Sequence, residues 1–136
     1  MADLTVTAAN VLAGTNAVKK TVRAAAAITA GQLLYKASDG RYGVVDADSA
    51  TAEARVPAGI ALNNAGANQP VIMQTAGDIT IGATLTVGAI YVASDNAGGI
   101  MPVADLETGD YVTIIGVAIS ASVLRLAITS SGVAVP

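Results

Sequence analysis

The sequence predicts an all-β protein: a small β-barrel or β-sandwich built from two internally duplicated β units, with an extended N-terminal arm. Short runs rich in Val, Ile and Tyr recur along the 136-residue chain, and such residues favour strands. Clusters of Gly, Asn, Asp and Pro separate these runs and are typical of turns. A phrase of the form Tyr-x-Ala-Ser-Asp occurs twice, which indicates a repeated unit.

The chain is predicted to divide into an arm over 1–24 and a β domain over 25–136. The run AAAA at 24–27 is predicted to be extended, because four residues are too few for a stable helix. Helix signals elsewhere are weak, so strands and turns account for most of the domain. The predicted strands are 33–37, 57–62, 70–75, 90–94, 111–119 and 122–128, and the predicted turns are 38–41, 63–70, 95–99 and 107–110.

Two segments allow finer predictions. Residues 49–55 are predicted to form one or two helical turns, with Asp48 or Ser49 as the N-cap. This helix must end before Pro57, because the residue that precedes a proline favours an extended backbone. Period-two alternation in 70–75 predicts that positions 71, 73 and 75 lie on one face of a strand and that Ile72 and Gln74 lie on the other.

The repeated phrase predicts an internal duplication. Residues 35–40 read YKASDG and residues 91–96 read YVASDN, 56 positions apart (91 − 35). Matches on both sides keep the offset within one residue of 56 and define half-repeats of about 29–77 and 86–132; these matches are Gly31 with Gly88, 59–62 with 116–119, and 71–77 with 126–132. Chance similarity in a chain rich in Ala, Val and Gly is the alternative.

The duplicated residues have structural roles in this interpretation. Gly31 and Gly88 are expected at a break or at a turn with positive φ. Asp39 and Asp95 are expected to accept a hydrogen bond from the backbone two residues further on, which turns the chain into the next strand. The same turn positions explain these two carboxylates better than an acid–base pair does.

The composition leaves few routes to chemistry. The chain has no Cys and no His, so disulfides, thiolate metal sites and histidine-dependent catalysis are excluded. No phosphate-binding loop or nucleophile motif occurs. Asp46 and Asp48 offer too few oxygens for calcium, which takes six to eight. We therefore expect no enzyme, no catalytic residue, no cofactor and no bound metal.

The core is expected to be thin. Hydrophobic residues make up 53% of the chain but aromatic residues only 3%, with no Phe and no Trp. Alanine contributes far less burial energy than larger side chains, so oligomer or partner contacts are expected to add stability. The N-terminus lacks the basic region of a signal peptide, and the apolar stretch after Arg23 is too short to span a bilayer. A soluble protein made in the cytoplasm, with no membrane partner, is expected.

The positive charges are unevenly placed on this acidic chain, whose net charge is −3. Three of its seven positive residues, Lys19, Lys20 and Arg23, lie near the N-terminus and suggest a segment that docks onto an acidic surface. A solvated turn is the alternative. The cluster is too small and too poor in aromatic residues for nucleic acid. Tyr42 and Tyr111 are candidates for oligomer or partner contacts, unless each is simply half-buried at a sheet end.

Several phrases resemble the capsid cement, or head decoration, proteins of tailed bacteriophages. They are ITAGQLLYKASDG (28–40), GIALNNAGANQPV (59–71), the stretch TIGATLTVGAIYVASDNAGGIMPVADLETGDYVTIIGVA (80–118), the ending SGVAVP (131–136) and the opening TVTAANVLAGTNAVKK (5–20). The resemblance covers essentially the whole chain. It rests on phrases in low-complexity β sequence and not on catalytic signatures.

The resemblance implies a structural function. The protein would be made in the host cytoplasm and would sit on the outer surface of the virion capsid, often as a homotrimer, bridging major capsid subunits of the same phage against internal DNA pressure. The arm would add a strand to the capsid protein, and its deletion over 1–23 is expected to abolish attachment and leave the body folded. A glycan-binding surface module using loops 63–69 or 95–99 is the alternative, although these loops lack aromatic residues. The docking candidates in the arm are Thr5, Val6, Asn10, Lys19, Lys20 and Arg23.

Overall fold

A computed structural model describes residues 3–46 and 51–136. The protein is nearly all β, and its antiparallel strands form one curled sheet with the shape of a half-barrel, which confirms the predicted fold class. Short 3-10 helices occur at Ala8–Asn10, Ala52–Arg55 and Val103–Asp105. The strands are β1 (Val11–Ala13), β2 (Val18–Arg23), β3 (Leu33–Lys36), β4 (Tyr42–Val44), β5 (Gly59–Ala61), β6 (Pro70–Ile81), β7 (Ile90–Ala93), β8 (Ile100–Pro102), β9 (Tyr111–Ala118) and β10 (Val123–Ala134).

The two halves of the chain form the same series of strands. Along the sheet the order is β4-β3-β5-β6-β10-β9-β7-β8, so each half contributes a hairpin, a connecting strand and one long strand. The long strands β6 and β10 meet in the middle as an antiparallel pair, with Ile79 opposite Leu124 and Gly77 opposite Leu126. The sheet is therefore arranged about a pseudo-twofold axis between β6 and β10.

The register of the last strand corrects the sequence alignment of the repeats. Ala61 pairs with Met73 in the first half, and Ala118 pairs with Leu124 in the second. Ala61 and Ala118 are 57 positions apart (118 − 61), but their partners are only 51 apart (124 − 73). The match of 71–77 with 126–132 was therefore wrong by four residues. The cause is the connection between the strands, which spans 62–69 in the first half and the shorter segment 119–122 in the second.

The segment predicted as an arm is extended, but it lies along the body of the protein. Both β1 and β2 run antiparallel to β6, with Leu12 opposite Thr80 and Lys20 opposite Met73. Val11, Val22 and Ala24 are buried. The boundary predicted at residue 24 therefore does not separate an arm from the β domain, because the N-terminal strands complete one edge of β6 and contribute to the core.

The first-half sheet is buried on both faces. One face carries Leu33 and Ile60, which belong to a large apolar cluster shared with the second half. The other face carries Leu34 and Met73, which belong to a smaller cluster closed by the segment after β2. The backbone N–H of Ala25 donates to the carbonyl oxygen of Tyr42 at 2.7 Å and ties that segment to β4. The segment 24–27 is non-helical, as predicted.

The alternation predicted for 71–74 places Val71 and Met73 on one face of β6 and Ile72 and Gln74 on the other, but it does not specify which side chains are exposed. In β6, Val71 and Met73 are buried and Ile72 is exposed. Gln74 is on the opposite face from Met73, yet it is fully buried, because that face packs on the larger cluster beside Ile60. A period-two pattern predicts a solvent-facing side only where the sheet has one.

The turn predictions have mixed outcomes. Gly31 and Gly88 have φ values of +92° and +81°, as expected. The Asp39 carboxylate accepts a hydrogen bond from the backbone N–H of Arg41 at 3.0 Å. In the second half the hydroxyl of Ser94 accepts the equivalent bond from Asn96 at 3.0 Å, so the prediction for Asp95 was wrong. The helix of 49–55 is a single 3-10 turn from Ala52 to Arg55; the predicted caps Asp48 and Ser49 lie outside the described residues.

Candidate functional site

The predicted contact residues occupy three different environments. Thr5, Asn10 and the three cations of β2 are exposed, whereas Val6 packs partly against the larger apolar cluster. Tyr42 is only 5% exposed inside the smaller cluster. It therefore offers no surface for a partner, and its prediction as a contact residue was wrong. Tyr111 is half-buried, and the guanidinium of Arg55 lies 3.7 Å from its ring centroid.

The cations of β2 form a basic edge, defined here as Lys19, Lys20 and Arg23. Side chains alternate along a strand, so Lys19 and Arg23 point to one face and Lys20 to the other, the face that also carries the buried Val22. In the described part of the chain β2 pairs only with β6, so its second edge is open. None of the three cations forms an ion pair with a described residue, which leaves their charges available to an acidic partner.

The residues before β1 are fastened to the second half of the chain. The Asp3 carboxylate accepts hydrogen bonds from the hydroxyl of Ser94 at 2.7 Å and from the side-chain amide of Asn96 at 3.0 Å. The backbone N–H of Leu4 donates to the carbonyl oxygen of Ile100 at 2.8 Å. These contacts span more than 90 positions of sequence, so no local motif would have identified Asp3.

A group of apolar side chains lies on the outward face of the sheet, and we call it the outer apolar face. Ile90 and Val117 are directly paired across β7 and β9. Ile119 follows Val117 on the same side of the chain, and its N–H donates to the carbonyl oxygen of Val123 at 3.0 Å. Val123 pairs with Thr80 of β6, and Thr80 pairs with Leu12 of β1, which places Leu12 on the same face. These four side chains are between 37% and 63% exposed. Single exposed apolar residues are ordinary, but a group of them marks an interaction surface.

Sequence reasoning missed this face for a physical reason. The run 111–119 is rich in β-branched residues and predicts a strand, but it does not reveal which positions face solvent. One charged pair interrupts the face: Arg125 lies opposite Val117 and binds Asp78 with 2.9 Å between Nε and Oδ1. The hydrogen bond from Arg125 lowers the pKa of Asp78 below its ordinary value, so the pair remains ionised at neutral pH.

The described residues contain no obvious reaction centre. Among them no three His, Cys, Asp or Glu side chains are grouped as a metal site would require. Asp39 is bound to Arg41, 2.8 Å from its guanidinium, and the hydrogen bonds from Arg41 lower the pKa of Asp39. A general acid at neutral pH needs a raised pKa, so the shift at Asp39 has the opposite sign. Asp46 is described, but Asp48, its predicted companion, is not.

No protein-family model matches the chain, and no curated protein matches it significantly. Within 3–46 and 51–136 no helix has both the length and the apolar character needed to cross a membrane. The arrangement that remains is an all-β body with two exposed features, the basic edge and the outer apolar face, both of a kind suited to contact with another macromolecule.

Proposed function

We propose that the protein is a non-enzymatic structural component of a tailed-phage virion, bound to the outer surface of the assembled capsid. It bridges neighbouring major capsid subunits of the same phage and stabilises the head against internal DNA pressure. The observation that carries the proposal is the basic edge: three cations without an ion-pair partner in the described residues, on one open strand of a chain whose net charge is −3. The resemblance of the sequence to cement proteins gives this surface its partner.

The mode of attachment follows from how β2 is held. For the N-terminal segment to leave and add to a capsid strand, Val11 and Val22 would lose their burial, at about 1.5–3 kcal/mol for each side chain. The hydrogen bonds between β2 and β6 would be lost as well, at about 0.5–1.5 kcal/mol each. We therefore propose that β2 stays on β6 and binds in place.

Binding in place uses both properties of the basic edge. Lys19 and Arg23 meet carboxylates of the capsid protein, and the open backbone edge of β2 accepts an extended capsid segment as a further strand. The outer apolar face supplies the desolvated centre that charged contacts alone lack. An oligomer of this chain would engage several subunits together and bind far more tightly than one copy.

The decisive experiment is co-sedimentation with phage heads stripped of this protein, followed by heating to release the DNA. The wild-type protein is expected to pellet with the heads in a fixed ratio to the capsid protein and to raise the temperature of DNA release. Binding should weaken as salt concentration rises, because exposed charges are screened. A folded wild-type protein that binds no head overturns the proposal.

Charge reversal tests the basic edge without removing part of the core. Lys19→Glu together with Arg23→Glu is expected to weaken head binding at least tenfold. Lys36→Glu is the matched control, because Lys36 is also an exposed lysine on a strand, and it should bind like the wild type. Truncation at residue 23 is a poor test, because it deletes Val11 and Val22 and opens one edge of β6. Wild-type affinity in the double variant would remove the basic edge from the proposal.

A further inference from the structure

We infer that the C-terminal half of β10 is an acceptor site for a β-strand, and that its occupant is the same segment of a second copy of this chain. β10 pairs with β6 from Val123 to Leu126 and with β9 as far as Ala134. Beyond Leu126 only the β9 side has a partner in the described part of the chain. The other edge of 127–134 therefore has no strand partner there. Side chains of the segment itself bind some of its backbone groups: the Ser131 hydroxyl bonds the N–H and the carbonyl oxygen of Val133, and the Thr129 hydroxyl donates to the carbonyl oxygen of Ala127.

The geometry of β6 explains why this edge is open. β5 pairs with Met73 and Gln74, so the N-terminal half of β6 has no room there for β10. The two long strands consequently separate after the pair Gly77–Leu126, where Gly77 has a φ of +89°. The end of β10 then extends beyond the sheet as a two-stranded ribbon with β9, paired at Ser130 and Thr113, with shifts of register between Leu126 and Thr129 and between Ser130 and Ala134.

The pseudo-twofold arrangement shows what is missing. In the first half, β6 is covered on one edge by β1 and β2 and on the other by β5 and β10. Its counterpart β10 has β9 on one edge and β6 on only part of the other. The N-terminal strands pair with β6 in the first half, and no described strand takes the corresponding position beside β10 in the second half.

The side chains of the open edge indicate the occupant. Residues 127–136 carry no charged side chain, whereas exposed edge strands are commonly protected by charge. β2, which also has an open edge, carries Lys19, Lys20 and Arg23, and two such edges would repel each other. Two β10 edges have no such repulsion, and an antiparallel pair about a twofold axis brings the same uncharged segment to itself. Val133, 64% exposed, gains an apolar neighbour in that pair.

This contact is independent of the proposed capsid function and is measurable on the purified protein. Sedimentation velocity over a wide concentration range should show reversible association from a 13.3 kDa monomer to a dimer. Ala127→Lys with Val133→Lys places like charges on both ends of the ribbon and should weaken association at least tenfold. The matched control is Val87→Lys with Ala104→Lys: Val87 is also 64% exposed, Ala104 is exposed, and neither lies on β10.

A charge swap separates strand pairing from a general effect on folding. Antiparallel pairing centred near Ser130 sets residue 127 of one copy opposite residue 133 of the other, so the double-lysine variant should associate with a double-glutamate variant at the same positions when the two are mixed. Circular dichroism checks that each variant is folded. Three results overturn the inference: a wild-type protein that stays monomeric throughout, association unchanged by the lysines, or folded variants that do not associate on mixing.

Discussion

Gln74 gives the sharpest test of the packing described above. Its side chain is fully buried between β5 and the larger apolar cluster. The amide Nε2 donates to the carbonyl oxygens of Ala76 at 3.1 Å and Asp78 at 2.8 Å. The Ala76 carbonyl lies at the point of β6 where the pairing with β2 shifts register. The amide therefore satisfies backbone groups at an irregularity of the strand, while its Oε1 has no hydrogen-bond partner among the described residues.

Gln74→Glu changes little in shape but removes the donor. When the new carboxyl is ionised, both carbonyl oxygens lose their partner and face a buried negative charge. Leaving a buried charge without compensation costs about 3–5 kcal/mol. When the carboxyl is protonated, its hydroxyl donates to one of the two carbonyls. The loss is then about 1–3 kcal/mol, the cost of a single unsatisfied buried acceptor.

The difference between the two forms fixes the pH dependence. Burial and the facing carbonyls disfavour the ionised form, so the pKa of the new carboxyl is raised in the folded protein. The variant is therefore most stable, relative to wild type, below the unfolded-state pKa of about 4.3 for Glu. Its stability falls by about 1.4 kcal/mol for each pH unit above that value and levels off above the raised folded-state pKa.

Urea unfolding at pH 4.5 and pH 7 measures this effect, with the wild-type protein at the same pH as the reference. We expect Gln74→Glu to lose about 2 kcal/mol more at pH 7 than at pH 4.5. Gln74→Met is the matched control, since it removes the amide without adding a titratable group and should cost the same at both pH values. Equal losses for Gln74→Glu at the two pH values would refute the buried position of this side chain.

Two further predictions test the sheet. Arg125→Gln should let the pKa of Asp78 rise toward its ordinary value, because the hydrogen bond from Arg125 is the main cause of its lowering; NMR titration of the carboxyl carbon measures this, and an unchanged pKa contradicts the ion pair. The lowered pKa means that the pair adds stability above the unfolded pKa of Asp78, a contribution lost as pH falls through the folded one. Gly116→Ala should destabilise more than Gly88→Ala in thermal unfolding, because its new Cβ would clash with the Arg125 carbonyl oxygen. Gly88, with a φ of +81°, has open space, so alanine there adds only backbone strain of about 1–2 kcal/mol. Equal losses would contradict the close approach of β9 to β10.

The fold class was predictable because its signals are local. β-branched runs specify strands, and the glycines and Asp39 specify turns through the conformations of single residues. The repeated Tyr phrase identified equivalent hairpins in the two halves. The last strand was misaligned because 71–77 and 126–132 are both short polar and apolar mixtures ending in Gly. Only the hydrogen-bond register, through Met73 and Leu124, distinguishes the two alignments.

The surface was harder to predict because exposure depends on partners that are distant in sequence. The residues before 24 have the positive charge expected of a docking arm, yet they pair with β6 and bury Val11 and Val22. Tyr42 is of a residue type that is common at contacts, but the segment after β2 covers its side chain. The exposed fraction of Ile90 or Val117 likewise depends on what packs on that face of the sheet, and the composition of the strands does not specify it.

A duplicated β unit has one more consequence for how such a chain meets its partners. Each half makes a long strand, and the strand at the centre of a sheet needs neighbours on both edges. The N-terminal segment pairs with β6, and its cations therefore lie on β2, a strand with an open outer edge. In the described chain no equivalent segment pairs with the free edge of β10 beyond Leu126. The same asymmetry thus produces a charged open edge on β2, suited to an unlike partner, and an uncharged open edge on β10, suited to its own copy. We therefore expect charge reversal at Lys19 and Arg23 to leave self-association unchanged, and lysines at positions 127 and 133 to leave the affinity of a single copy for the capsid unchanged.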